Sequence, residues 1–251
     1  MIESLKITDF SDLPLPYVGD IEFFKDKKEI VFDKNINIIV GANGSGKSTL
    51  IKLLALYTLC PESTYSVQGA TAKLDKRFDD MMSSEGGVFD GAEVKADYTK
   101  KTFHLIGADD IHDELIENMV QLKKKVSKAM SSTGESGIYS INSLWDEMFG
   151  MKDYSFPPCN MEWQYPLRQY YKRNSIGHDN IFTVLMDEPD KGLDIENVMQ
   201  LHGIINAKRE DTQLIISLHN PALIYKLYMQ HDFKFIETSK GYLFKIVKFF
   251  E

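Results

Sequence analysis

Cysteine is nearly missing from this chain of 251 residues, and the two that occur, Cys60 and Cys159, share no C-x-x-C or metal-ligand spacing. A disulfide framework and a cysteine metal centre are therefore excluded, and reduced thiols in a cytoplasmic protein are the expectation. Long apolar runs are missing too. None reaches the roughly 18–20 residues that cross a bilayer, so direct membrane insertion is not expected. The opening Met1-Ile2-Glu3-Ser4-Leu5-Lys6 lacks the charged-then-apolar plan of a signal peptide. There is no surplus of positive charge. With 29 basic against 37 acidic residues the net charge is −8, which argues against bulk attraction to nucleic acid or anionic lipid. The local run Lys123-Lys124-Lys125 with Lys128 reads as a solvated helix face or a phosphate-backbone contact. Internal repeats and low-complexity tracts are absent.

What is present suits a single α/β domain. Hydrophobic residues make up 43% of the chain, enough for a sizeable core. Residues 1–10 alternate like a half-buried strand, and Ile21–Phe24 and Glu29–Phe32 read as two more, with Asp26-Lys27-Lys28 turning between them. Asn37–Val40 is a buried strand, and a helix opens at Thr49. The pattern fades from Pro61 to Gly87. Val88–Tyr98 and Thr102–Ile106 suggest a β side sheet over 88–108. Apolar residues three to four apart predict a helix over Asp109–Met130 and a second from near Glu135. Buried strands at Ile181–Met186 and Gln213–Leu218 alternate with helices at Ile195–Ala207 and Pro221–Met229. Phe233–Glu237 and Tyr242–Lys248 read as a terminal strand pair turning at Lys240-Gly241. Strands alternating with helices imply a mainly parallel core sheet.

Gly41-Ala42-Asn43-Gly44-Ser45-Gly46-Lys47-Ser48-Thr49 is the most informative stretch. It fits G-x-x-x-x-G-K-[ST], the phosphate-binding loop. Small residues let consecutive backbone N–H groups turn inward around phosphates, the lysine reaches the β- and γ-phosphates, and the serine hydroxyl ligates Mg²⁺. The loop lies between a buried strand and a helix, so the anion would sit at a helix N-terminus, where the dipole and the unpaired N–H groups favour it. This predicts a nucleoside triphosphate site built from Asn43, Gly44, Ser45, Gly46, Lys47, Ser48 and Thr49. The second signal is Phe182-Thr183-Val184-Leu185-Met186-Asp187-Glu188-Pro189, an apolar strand ending in two carboxylates. Asp187 is placed to hold the Mg²⁺ shell with Ser48, and Glu188 to polarise the attacking water.

With these residues the chain resembles the ABC-type ATPases, in which two nucleotide-binding domains close head-to-tail over two ATP molecules. Gly192-Leu193-Asp194 is similar to the D-loop that crosses the dimer interface, and His219, after the next buried strand, to the switch histidine at the γ-phosphate. Ser131-Ser132-Thr133-Gly134-Glu135-Ser136 resembles the signature loop, so Ser132 and Gly134 would meet the nucleotide bound by the other subunit. The resemblance implies one ABC-type P-loop domain over 1–251, with a helical signature subdomain over 109–149. The stretch between Gly134 and Asp187 is longer than in transporter domains, which makes 150–180, with Trp163, Tyr165, Tyr170 and Tyr171, an insertion of either mini-core or docking type. The glutamine of the Q-loop has Gln68 as its nearest candidate. Tyr17, Phe24 and Phe32 are each able to stack on adenine or to sit in the core.

The wording around Ile38–Gly44 and Leu218–Leu223 resembles the non-transporter branch: SMC- and RecF-like ATPases and compact bacterial AAA-like relatives that accompany repair or phage-defence effectors. Glu135–Tyr139 carries none of the basic residues with which transporter signatures continue. The resemblance implies an ATP- and Mg²⁺-dependent ATPase that works as a homodimer or higher oligomer. In that role it would switch a separate effector in DNA repair or antiviral defence, with any nucleic acid reached through the effector. The alternative is the nucleotide-binding subunit of an ABC transporter. A small P-loop kinase or a non-hydrolysing, nucleotide-gated module would each use fewer of these motifs.

Overall fold

The computed structural model describes residues 1–58, 90–96, 101–105, 181–206 and 212–251. Its centre is a five-stranded parallel sheet formed by β3 (Ile36–Val40), β5 (Lys101–Leu105), β6 (Ile181–Asp187), β7 (Gln213–Ser217) and β8 (Lys234–Glu237). The strand order is β5-β6-β7-β3-β8. Every residue of β3 and β7 is buried, their apolar centres interrupted only by Asn37, Gln213 and Ser217, as expected when both faces of a parallel sheet are covered.

The two faces are covered differently. Ile39, Leu185, Ile215 and Ile236 point to one side, where helix α2 (Lys47–Tyr57) lies against them. A three-stranded antiparallel sheet, order β2-β1-β4, closes over the far side of α2; its strands are β1 (Ile2–Ile7), β2 (Glu29–Val31) and β4 (Ala92–Ala96). The helix is therefore apolar almost all round, with Leu50, Ile51, Leu53, Leu54, Ala55 and Leu56 all buried. On the other face Ile38, Val40, Val184, Met186, Leu214 and Ile216 meet α3 (Ile195–Asn206), α4 (Pro221–Tyr228) and α5 (Tyr242–Phe250). The two sheets are joined by Gln213, whose buried side chain accepts from Ile2 N at 2.8 Å and donates to Ile2 O at 2.8 Å.

The structure corrects three expectations. The stretch read as a strand at Ile21–Phe24 is a 3₁₀ turn at Pro16–Asp20 leading into a short helix, α1 (Glu22–Asp26). Phe23 and Phe24 are both buried and meet edge to face at 5.0 Å, whereas adjacent residues of a strand would point to opposite faces. Of the proposed side sheet over 88–108, Ala92–Ala96 does pair with β1, but Lys101–Leu105 instead forms the edge of the parallel core sheet beside β6. The terminal strand pair does not form either. Lys234–Glu237 joins β3 in parallel, and Tyr242–Phe250 is a helix that starts after Gly241 at φ 69° and buries Ile246 against the core. The helices expected at 109–130 and from 135, the insertion at 150–180, and Gln68, Cys60 and Cys159 lie outside the described residues. Among the described residues no helix is long and apolar enough to cross a membrane.

Candidate nucleotide-binding site

The phosphate loop leaves β3 at Val40 and returns into α2 at Lys47. Gly46 is the residue that makes the entry possible. It sits at φ 103°, and a Cβ there would lie 3.0 Å from Ile21 Cγ2 and 3.1 Å from Phe24 Cε2. Lys47, only 4% exposed, folds its ammonium back over the loop, 3.2 Å from Gly41 O and 3.4 Å from Ala42 O. The same nitrogen is 3.4 Å from Glu188 Oε1. The P-loop lysine and the Glu188 carboxylate just past the end of β6 thus face each other across one cleft.

That cleft has a volume of about 420 Å³ and is lined by Asn43, Gly44, Gly46, Lys47, Ser48, Thr49, Glu188, Lys191 and His219. The Asp187 carboxylate accepts the Ser217 hydroxyl at 2.6 Å, and the Ser48 hydroxyl lies beside it. Burial holds Asp187 above the ordinary aspartate range; the Ser217 and Ser48 hydroxyls pull it down, and the neighbouring Glu188 charge adds to the rise. Glu188 sits at φ 46°, a left-handed conformation that costs a non-glycine residue about 1–3 kcal/mol. Its N–H donates to Ser217 O at 3.2 Å and to Ser217 Oγ at 2.8 Å, which holds the strained backbone in place.

Several of these residues carry no motif and were not singled out from the sequence. Ser217, at the end of β7, touches both carboxylate-bearing positions. Asp190 is buried, and its Oδ2 accepts the N–H groups of His219, at 2.8 Å, and Asn220. Asn220 in turn caps α4, accepting from Ala222 N at 3.0 Å and Leu223 N at 3.1 Å. The histidine loop is therefore anchored to the carboxylate loop on one side and to a helix on the other. Lys191 adds a second cation to the lining. Its only trace in the sequence is its place three residues after Glu188.

Other expected residues fall elsewhere. Asp194 is exposed, does not line the cleft and caps α3, accepting from Asn197 N at 2.8 Å. Ser45 also stays out of the lining. Phe24 and Phe32 are core residues, while Tyr17 is 46% exposed. Ser132 and Gly134 lie outside the described residues. Among those described, no group of three or more His, Cys, Asp or Glu side chains could hold a metal. The Ser48 hydroxyl and Asp187 carboxylate are instead a partial set of hard oxygen donors, which suits an ion that keeps waters and shares phosphate oxygens.

A family profile described as an AAA domain matches residues 19–213. Among curated proteins, the phosphate import ATP-binding protein PstB of Oceanobacillus iheyensis is 26% identical over 223 residues, covering 85% of this chain and 73% of that protein. Among solved structures, the dimeric post-hydrolysis state of the ATP-binding cassette MJ0796 bound to ADP and Pi overlaps with a TM-score of 0.38 and 15% identity, covering 89% of this chain and 90% of that one. With the profile spanning most of its length, the chain belongs to the AAA-domain family.

Proposed function

We propose that the protein is a nucleotide-operated switch: two copies close head-to-tail over two MgATP, and hydrolysis reopens them to change the state of a separate effector. The observation that carries this reading is the convergence of Lys47, Ser48, Glu188 and His219 of one chain on one cleft, with Asp187 beside Ser48 just behind it. In this role Lys47 neutralises the β- and γ-phosphates. Ser48 and Asp187 hold Mg²⁺, which offsets charge on the phosphate oxygens. Glu188 accepts a proton from the attacking water, and His219 contacts the γ-phosphate. Ser132 and Gly134 of the second copy would complete the site. The effector is of DNA-repair or antiviral type, the protein cytoplasmic, and nucleic acid is reached through the effector.

Light scattering on Glu188→Gln, with and without MgATP, tests the closure. A doubling of molar mass with nucleotide is expected, and a monomer at saturating MgATP would end this reading. A second reading rests on the similarity to a phosphate-import ATP-binding protein, which would make the chain a transporter's ATP-binding subunit. Co-purification with a polytopic membrane protein would select it.

A further inference from the structure

The phosphate loop is also gripped from behind, by the turn that joins β8 to α5. Three hydrogen bonds make the contact. The Thr238 hydroxyl donates to Val40 O at 3.2 Å, Ser45 Oγ lies 2.5 Å from the same hydroxyl, and Ala42 N–H donates to Ser239 Oγ at 3.0 Å. The Ser45 and Thr238 hydroxyls share one short hydrogen bond in which either oxygen is able to donate. The Ser45 side chain is thereby turned towards β8, which accounts for its absence from the cleft lining.

The turn is itself well fixed. Thr238 N–H donates to Val40 O at 2.8 Å, continuing the parallel ladder by one residue. Glu237 Oε2 accepts from Leu243 N at 3.2 Å across the start of α5, and Gly241 supplies the left-handed residue between them. Thr238 is 7% exposed. Contact with the loop is close enough to dictate its first residue: a Cβ on Gly41 would overlap Thr238 Oγ1 and come within 2.6 Å of Ser45 Oγ.

We infer that Thr238 and Ser239 are positioning residues for ATP binding, holding the backbone of residues 41–45 in the curve that aims its following amides at the phosphates. Neither lines the cleft; they act through the loop. A loop fixed before nucleotide arrives has no ordering entropy to lose on binding. Because the same loop holds ground state and transition state alike, weakening it removes uniform binding, which raises KM and spares kcat.

The test is steady-state phosphate release with Thr238→Val, Thr238→Ser and Ser239→Ala, with thermal midpoints recorded alongside. Losing two hydrogen bonds in Thr238→Val and one in Ser239→Ala is expected to raise KM for ATP roughly three- to tenfold in each, with kcat within about twofold of wild type. Thr238→Ser keeps the hydroxyl and is expected to restore wild-type KM. Wild-type KM in both hydroxyl-deleting variants would overturn the inference. So would a loss of kcat with unchanged KM, or a Thr238→Ser variant as impaired as Thr238→Val. Should Thr238→Val fold poorly, the half-buried end of the brace at Ser239→Ala decides alone. Wild-type turnover in the same assay separates failure of this inference from failure of the ATPase site.

Discussion

The Ser217 hydroxyl donates to the Asp187 carboxylate at 2.6 Å, tying the end of β7 to the carboxylate end of β6. The same oxygen accepts the Glu188 N–H, so one side chain sets the carboxylate proposed for Mg²⁺ and the backbone that aims the proposed base. Ser217→Ala leaves Asp187 more weakly oriented and Glu188 N–H with its carbonyl bond alone. Turnover is expected to fall by roughly tenfold, the equivalent of about 1.4 kcal/mol, and more Mg²⁺ should be needed for half-maximal rate. A Mg²⁺ titration of phosphate release checks both effects.

Asp190 predicts a contrast between two substitutions. Burial holds its carboxyl above the ordinary aspartate range, with the Asn220 and His219 N–H bonds opposing the shift, and its Oδ1 has no partner among the described residues. Asp190→Ala strips the acceptor from two loop N–H groups and should cost about 1–3 kcal/mol of stability. Asp190→Asn keeps an acceptor and carries no charge to desolvate, so it should be far milder.

The sign of the pH effect follows from the same burial. A carboxyl whose folded pKa is raised binds its proton more tightly folded than unfolded. Its contribution therefore favours the fold below the ordinary aspartate value and is lost as pH rises through the raised one. Between those limits wild type should lose stability relative to Asp190→Asn as pH increases. Denaturant melts of the pair across the acid range measure it.

Lys191 brings a second cation to a cleft whose other lining cation is Lys47. Its benefit should grow with ligand charge and fade with salt, as for any exposed ion pair. Lys191→Ala is expected to weaken ATP binding roughly three- to tenfold at low ionic strength and ADP binding less, with Lys191→Arg close to wild type. Calorimetry with both nucleotides at two salt concentrations would show whether the difference follows charge.

The phosphate loop and the Asp187–Glu188 pair were legible because their chemistry demands adjacent residues of fixed type, and β3, β6 and β7 because a doubly covered strand is mostly apolar. Ser217, Asp190, Thr238 and Ser239 were not. Each meets its partner only through strand order, and a serine at a strand end has no local mark. Tyr242–Lys248 reads as a strand from its aromatic and β-branched content, yet it lies in a helix, Tyr242–Phe250. Ile246 on the core and the Tyr225–Phe250 stack at 5.0 Å override that composition. Lys101–Leu105 is misassigned for a different cause. A short edge strand carries no information about which of two sheets it will join.

Phosphate release by Glu188→Gln, measured beside its ATP affinity, most directly tests the proposed role of Glu188 in activating water in the Lys47 cleft. Turnover should drop by roughly 10²–10⁴ while ATP still binds. A variant that hydrolyses ATP at the wild-type rate would contradict it.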